Sequence, residues 1–475
     1  MPEALLAIDA GTTNVRVLIF GLDGAVRVRE NLPVSYPGPG RVEQDPDEIW
    51  RITQTLLHAA LGNAKLRASD IAAIGIAAQR ASCMVWERTT GRALTPLASW
   101  QDLRGANRSE ALRNAGFLVL QQSAAAKLEA VLDSIPRGRS RAAAGELAWG
   151  NIDSYLLYRL SGGAIHATDP SQACATGYYD FATGDWNSKL IEYQHLSPKL
   201  FPTLVDTSGH LADTHTGLFD ARIPIAAIVG DQQSAAIAQC CRAPGYGKVT
   251  YGTSATADVH TGAAPVVIRG TYPLVLSRRQ GLTEYCAEGM VITAGAVFDW
   301  LNSLGLYDRS HAQNMPEDTA GVFMLPALQG LGSPHGNSNS RARLTGLSRS
   351  TRREHIIRAA MEGIAFRVRE VLDTIYAHPK LPRPDFLLAD GGASQNVAFM
   401  QIQADLLGQP VHGMIPHEAT AVGAAYLAGQ AVGLKWLSAT LVGDRSFCHF
   451  SPRLSADERD ARFARWRDAC GLPTI

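Results

Sequence analysis

Apolar positions at the start of the chain fall into two short runs separated by a polar turn. Residues 5–26 read LLAIDAGTTNVRVLIFGLDGAV. Leu5, Leu6, Ala7 and Ile8 form the first run. Val15, Val17 and Ile19 then alternate with Arg16, Leu18 and Phe20 before a second turn at Asp23-Gly24. Short apolar runs and period-two alternation bounded by turn residues predict a β-meander. Asp9-Ala10-Gly11-Thr12-Thr13-Asn14 interrupts it, and two readings compete there. One is turn chemistry, with Asp9 bonding its own backbone and Gly11 supplying a positive φ. The other is a phosphate cradle of turn N–H groups and the Thr12 and Thr13 hydroxyls, with Asp9 holding a hydrated Mg2+ beside it.

Further along, the period changes. In PGPGRVEQDPDEIW (37–50), Asp45 reads as an N-cap, Pro46 as the first helical residue and Glu48 as the third, reaching back to the cap; a helix follows to about Leu61. IAAIGIAAQR (71–80) is an apolar strand ending in Gln79-Arg80, and ASWQDLRG (98–105) ends another in Trp100-Gln101-Asp102. Open α/β sheets bind ligands beyond the carboxyl ends of their strands, so these polar ends form a candidate substrate wall, unless they are ordinary loop residues. IPIAAIVGDQQSAAIAQCC (223–241) is strand, turn and Ala-rich helix, with Asp231 at the junction. RAPGYGKVTYGTSATADVH (242–260) begins with a candidate hinge at Pro244 to Gly247 and then repeats the opening theme. A β run breaks at Gly252-Thr253-Ser254 and resumes. Two such turns suggest two domains facing one polyphosphate.

Residues 351–376 place Ile357, Ala360, Met361, Ile364, Val368, Val371 and Ile375 at helical spacing, a long amphipathic helix. DFLLADGGASQNVAFMQIQADLLG (385–408) is a strand, a Gly391-Gly392 turn and a helix, the glycines admitting a flat group to the backbone where the helix begins. HEATAVGAAYLAGQAVG (417–433) is a small-residue helix suited to packing beside that turn. QGLGSPHGNSNSRAR (329–343) is the most mobile element by composition, and the charged helix 456–470 reads as surface packing.

Composition narrows the class. A chain of 475 residues suits two large domains, and 46% hydrophobic with 19% charged residues is ordinary for a soluble enzyme. Lys plus Arg and Asp plus Glu balance at 44 each, so no charge excess points to nucleic acid or an anionic membrane. No apolar run approaches the ~20 residues of a membrane span, and MPEALLAIDAG has no basic leader region, so a cytoplasmic location is expected. The seven Cys are scattered without metal-ligand spacing and read as reduced thiols. No Walker A loop exists, since Val249 follows Gly247-Lys248, and Gly330-Leu331-Gly332 lacks a strand-to-helix setting.

The ordered set of motifs resembles the FGGY family of carbohydrate kinases, most closely its glycerol kinase branch. The matching pieces are IDAGTTNVR, PGRVEQDPDEIW, IAAIGIAAQR, residues 145–163, HATDPSQA, GDQQSA, VTYGTS, AGAVFDWL, GLGSP, DGGASQN and EATAVGAAYLAG, with residues 342–362 resembling the family's C-terminal signature. The resemblance implies an α/β fold of two ribonuclease-H-like domains of the actin, heat-shock and sugar-kinase superfamily, with an interdomain cleft. The expected division is 1–245, acceptor-binding with the first phosphate turn, and 246–475, nucleotide-binding. ATP and Mg2+ are the implied cosubstrate and metal. Carried over by position, Asp231 looks like the catalytic base and Asp9 like the metal-side carboxylate. Gly11, Thr12, Thr13, Asn14, Arg16, Gly252, Thr253, Gly295, Gly392, Ala393 and Asn396 look like nucleotide contacts. Arg80, Ala81, Trp100, Asp231, Gln232 and Thr256 fall at acceptor positions. Relatives are often dimers or tetramers, so a homodimer is expected.

Departures from the family's pattern cluster at the acceptor. The family's Q-R-E-T is Gln79-Arg80-Ala81-Ser82 here, so the Arg is kept and the carboxylate is not. A family Phe aligns with Thr256. The segment 120–133, LQQSAAAKLEAVLD, lacks the family's aromatic positions, although Lys127 remains. Losing a charged hydrogen-bond partner costs roughly 1.5–3 kcal/mol, and Thr256 widens the pocket. The expected acceptor is therefore a polyol or sugar larger than glycerol, such as the ketopentoses xylulose or ribulose. Glycerol kinase proper and a non-catalytic sugar-binding regulator are the alternatives. An actin-like or chaperone-like ATPase would share the phosphate turns but not the acceptor wall.

Overall fold

The computed structural model describes residues 2–35, 42–308, 315–413, 418–434 and 448–472. The chain divides into two compact units. One comprises Met1–Ala238, Leu274–Glu284 and Thr420–Asp444; the other comprises Gln239–Pro273, Tyr285–Ala419 and Arg445–Ile475.

In the first unit the meander forms as expected: β1 (Ala4–Ala10), β2 (Asn14–Gly21) and β3 (Val26–Pro33) pair antiparallel in sequence. Asp9 and Ala10 still belong to β1, opposite Arg16 and Val15, so the break between the strands is only Gly11-Thr12-Thr13. With β4 (Ile71–Ala78), β5 (Ser208–Asp213) and β6 (Pro224–Gly230), the sheet runs β5-β6-β4-β1-β2-β3. Strands β1, β4 and β6 are parallel, and Ala78 at the end of β4 lies opposite both Ala10 and Gly230. Leu6, Ile8, Val17, Ile74, Ile76 and Ile228 are fully buried in one core that includes Ile49, Trp50, Leu56 and Leu57 of α1 (Pro46–Ala64). Asp45 caps α1 through the Asp47 amide, and Pro46 takes the first position. Glu48 accepts from the Ser35 hydroxyl at 2.7 Å rather than from the cap's amide.

The small-residue helix is Ala419–Ala431, and His417 of its motif lies outside the described residues. It packs within the first unit, against β4 and α2 (Asp231–Ala238), whereas the Gly391-Gly392 turn expected beside it belongs to the second. A Cβ on Gly75 would lie 2.2 Å from Ala424 O, and one on Gly423 would lie 2.0 Å from Ser234 O. Small residues announce a close backbone approach without saying which backbone arrives.

The second unit supplies most of a seven-stranded sheet built from β7 (Gly247–Tyr251), β8 (Ala255–Gly262), β9 (Tyr272–Arg279), β10 (Leu282–Val291), β11 (Leu387–Asp390), β12 (Val411–Gly413) and β13 (Cys448–Phe450), in the order β9-β10-β8-β7-β11-β12-β13; residues 274–279 of β9 and 282–284 of β10 are counted with the first unit. The long helix predicted at 351–376 is α4 (Arg353–Tyr376), following α3 (Gly295–Ser303), and its apolar stripe enters the core. The segment proposed as a hinge is tied inside this unit, where the Tyr376 hydroxyl donates to Gly245 O at 3.0 Å. Leu331 and Asn337 exchange backbone hydrogen bonds of 2.8 Å within the 329–343 loop, and Arg367 donates to Ser333 O.

The C-terminal helix corrects the expectation of simple surface packing. Ala456–Ala469 presents charge along most of its length, yet Trp466 is 1% exposed, stacks on Phe366 at 5.1 Å and donates to Met324 O at 2.9 Å. One aromatic in a charged helix gives too weak a periodic signal to reveal the anchor. The stretches 36–41 and 435–447, parts of two segments read from sequence, lie outside the described residues. All seven cysteines are free, and Cys83, Cys174, Cys241, Cys286 and Cys470 are buried.

The β4 contact is testable. Gly75→Val puts a branched side chain where backbone already stands, and overpacking of this kind costs roughly 1–3 kcal/mol. A melting temperature lower by several degrees is expected in calorimetry; an unchanged one would show that helix Ala419–Ala431 does not lie against β4.

Candidate functional site

Three adjacent parallel strands of the first unit deliver the predicted polar residues to one edge of the sheet. Asp231 begins α2 directly after β6, and Arg80 lies two residues beyond β4. The Arg80 Nε stands 3.6 Å from Asp231 Oδ1, with the side chains 11% and 22% exposed. The Gln232 amide donates to Asp231 Oδ1 at 2.8 Å. From β1, the Thr12 hydroxyl accepts from Trp100 Nε1 at 3.0 Å and the Thr12 carbonyl accepts from Gln44 Nε2 at 2.9 Å. Gln79 then donates to Gln44 Oε1 at 2.7 Å. Trp100 is thus wired directly to the Gly11-Thr12-Thr13 turn.

That turn does not follow plain turn chemistry. Gly11 does not adopt a positive φ. Asp9 pairs across the strands with Arg16, Oδ2 to Nη1 at 2.9 Å, and Asn14 Nδ2 donates to the Thr13 hydroxyl at 2.9 Å. Ala81 adopts a left-handed φ of 56°. Thr256 belongs to the second unit, on β8 opposite Thr250 and Met290, and is 5% exposed.

Against the same strand ends lies a set of residues that sequence reasoning passed over. Asp169 caps the short helix Pro170–Ala175 and accepts from the Ser171 hydroxyl at 2.8 Å; that hydroxyl accepts from Gly230 N at 2.8 Å. Gln172 Nε2 donates to Ala78 O at 2.9 Å and Thr207 donates to Asp169 at 2.6 Å. The ends of β4 and β6 are therefore fixed from below. The available signal was HATDPSQA itself, in which an Asp-Pro helix start is followed by a hydroxyl and an amide.

In the second unit, Gly252, Thr253, Gly295, Gly392, Ala393 and Asn396 all line one cavity of about 1700 Å³, together with Phe298, Asp299 and Tyr307. Its geometry separates the glycines by role. The amides of Ala294, Gly295 and Ala296 at the start of α3 donate to the carbonyls of Gly252 and Thr253 at 2.9–3.1 Å. Those carbonyls meet the orphan donors of the helix N-terminus. A Cβ on Gly295 would sit 2.3 Å from Gly252 O, and Gly391 has a φ of 91° with Tyr251 O at 2.6 Å from its missing Cβ. Both are packing glycines. Gly252 and Gly392 are different: a Cβ would meet nothing nearer than 3.7 Å at the first and nothing within 4 Å at the second. No packing excludes a side chain there, and both backbones face the cavity. The helix expected to begin at the glycines starts later. Gly392–Gln395 forms a single 3-10 turn, and α5 (Val397–Leu407) is capped by Asn396, whose Oδ1 accepts from Phe399 N at 3.1 Å.

The two units have the α/β fold of the ribonuclease-H-like type. Residues 4–238 match the N-terminal domain, and residues 247–432 the C-terminal domain, of the FGGY family of carbohydrate kinases. The chain belongs to that family and is an ATP-dependent carbohydrate kinase. It is 40% identical to a glycerol kinase of Aromatoleum aromaticum over 98% of this chain and 97% of that one, and 39% identical to a glycerol kinase of Thermus brockianus with the same coverage. The solved glycerol kinase of Plasmodium falciparum with ADP superposes with a TM-score of 0.92 at 27% identity, covering 99% of both chains. A xylulose kinase of Lactobacillus acidophilus shares the fold, with a TM-score of 0.85 at 20% identity over 98% of this chain and 97% of that one. The expectation of an acceptor larger than glycerol finds no support in these relationships. Ala81 and Thr256 are two single-residue departures, whereas the likeness to glycerol kinases extends over nearly the whole chain.

Burial raises the Asp153 carboxyl from an ordinary 3.8 to about 7 and that of Asp169 to about 6. The folded protein holds protons that the unfolded chain releases above pH 4. This contribution to stability is complete below that point and is lost as the pH rises through 7. Asp153→Asn cannot ionise, so its melting temperature should fall less steeply than the parent's between pH 5 and 8. Parallel curves would show that Asp153 is charged in the folded state.

Proposed function

We propose that this protein transfers the γ-phosphoryl group of ATP to a hydroxyl of glycerol in the cytoplasm. The observation that carries the proposal is the Asp231 carboxylate, standing 3.6 Å from Arg80 at the ends of neighbouring parallel strands. Likeness to glycerol kinases at 40% identity supports the choice of acceptor. Asp231 accepts a hydrogen bond and then the proton of the attacking hydroxyl, while the Arg80 guanidinium orients the acceptor oxygens and Trp100 walls one side. Gln232 is placed to hold a second hydroxyl. In the other unit, the open backbone faces of Gly252 and Gly392 receive the nucleotide, a reading supported by the likeness to the Plasmodium falciparum glycerol kinase solved with ADP.

Among the described residues no three His, Cys, Asp or Glu side chains gather as a metal site. Asp9 still fits Mg2+, because that ion commonly takes one or two protein carboxylates and fills the rest of its shell with water and phosphate oxygens. When bound, the ion neutralises phosphate charge. Asp9 and the Thr12 and Thr13 hydroxyls are the groups that hold it and the phosphates.

Phosphoryl transfer leaves most of the rate to positioning and charge, with the base contributing a hundredfold or more. Asp231→Asn should lower kcat by at least about two orders of magnitude, ~3 kcal/mol of barrier, with nucleotide affinity retained in calorimetry. Near-parental turnover removes Asp231 from the role. In a coupled ADP-release assay over glycerol, tetritols, pentitols and ketopentoses, glycerol should give the highest kcat/KM. A clear preference for a ketopentose overturns the acceptor assignment.

A further inference from the structure

Lys127 is a residue of the chain that the proposed chemistry leaves unused. It sits where the 3-10 turn Ala124–Ala126 meets the helix Leu128–Asp133, and it is completely buried. Its Nζ donates to two main-chain carbonyls, Ala81 O at 3.1 Å and Ser99 O at 2.8 Å. Ala81 directly follows Arg80, and Ser99 directly precedes Trp100. The ammonium therefore adds a side-chain tie between two loops that flank the paired backbone hydrogen bonds of Cys83 and Ala98 at 2.9 Å, each loop carrying one acceptor-wall side chain.

Packing alone does not account for a charge at this place. Burying an ammonium costs free energy unless its hydrogen bonds return it, and a methionine would fill the same volume without that penalty. Ala81 gives the second reason. Its left-handed φ of 56° is one that residues with a Cβ avoid, so its surroundings must hold it. The bond from Lys127 falls on that residue's own carbonyl. Asp102 and Arg104, which face Lys127 from the Trp100 side, bond to each other, and the Cys83 thiol accepts from Trp149 Nε1.

We infer that Lys127 is a positioning residue of the acceptor site, its buried ammonium clamping the Ala81 and Ser99 carbonyls and so setting the spacing of Arg80 and Trp100. The inference rests on reading those two side chains as the acceptor wall. It implies that loosening the clamp harms acceptor recognition and spares the nucleotide. Burial lowers the Lys127 pKa to about 8, so the clamp weakens within an accessible pH range.

The test is steady-state kinetics of the full-length Lys127→Met variant, with ADP affinity measured by calorimetry as the check on folding. Misplacing binding groups by about an ångström can cost two orders of magnitude; a rise of at least about tenfold in the KM for glycerol is expected, with the ADP Kd within twofold of the parent. A role confined to stability would lower the melting temperature and the active fraction while leaving the glycerol KM of the folded enzyme in place. That result overturns the inference. The native protein offers a second measurement that needs no folded variant. Its glycerol KM should rise between pH 7 and 9.5 while the ATP KM stays level, and a level glycerol KM also overturns the inference. If the native enzyme phosphorylates glycerol and Lys127→Met keeps its KM, only the clamp is lost. If the native enzyme does not phosphorylate glycerol, the acceptor reading fails and the clamp fails with it.

Discussion

The constraint on which the first unit depends is the register of three parallel strands. Ala78 lies opposite Ala10 on one side and Gly230 on the other, so β1, β4 and β6 end at one level. Parallel ladders set side-chain positions along neighbouring strands in step. Whatever follows Ala10, Ala78 and Gly230 in sequence must emerge along the same sheet edge. Those residues are the Thr12 turn, Gln79-Arg80 and Asp231. A slip of one residue would turn every buried Ile and Leu of these strands to the opposite face, so the core that holds the sheet also holds the chemistry. The Ser171, Gln172 and Asp169 bonds then act on strand ends already brought level.

The second unit reaches a comparable result by a different route. Its Gly-Thr turn gives its carbonyls to the amides opening α3, which satisfies a helix N-terminus that has no side-chain cap. Gly295 permits that contact, and Gly391 permits the approach of β11 to Tyr251. With these packing duties assigned, Gly252 and Gly392 remain as bare backbone on a large cavity. The separation matters, because a glycine can be required by the protein itself or by what the protein binds. Only the neighbouring atoms distinguish the two cases.

Much of this was legible in one dimension. The meander, the strand-turn-helix around Asp231, the paired strands about Gly252 and the long helix Arg353–Tyr376 all follow from local periodicity and turn chemistry. Asp45 and Pro46 marked the start of α1 correctly, because capping is a contact between neighbours in sequence. Glu48 was misread, since its partner Ser35 lies outside that local frame. The anchoring of Trp466 was missed for the same reason. Gln44, Gln172 and the Lys127 contacts were invisible, as each joins segments dozens of residues apart.

The sequence by itself determined the elements and the residue types at their ends, because hydrophobic period, caps and turn residues act within a few positions of one another, and its ordered motifs carried the likeness to a kinase family. Only the tertiary structure decided which ends meet, which glycines are spare and which polar side chains are braces rather than contacts. Those outcomes depend on distances between remote segments, such as the 3.6 Å between Arg80 and Asp231 and the two carbonyls gathered by Lys127. A chain written in one dimension carries no such distances until its core has closed.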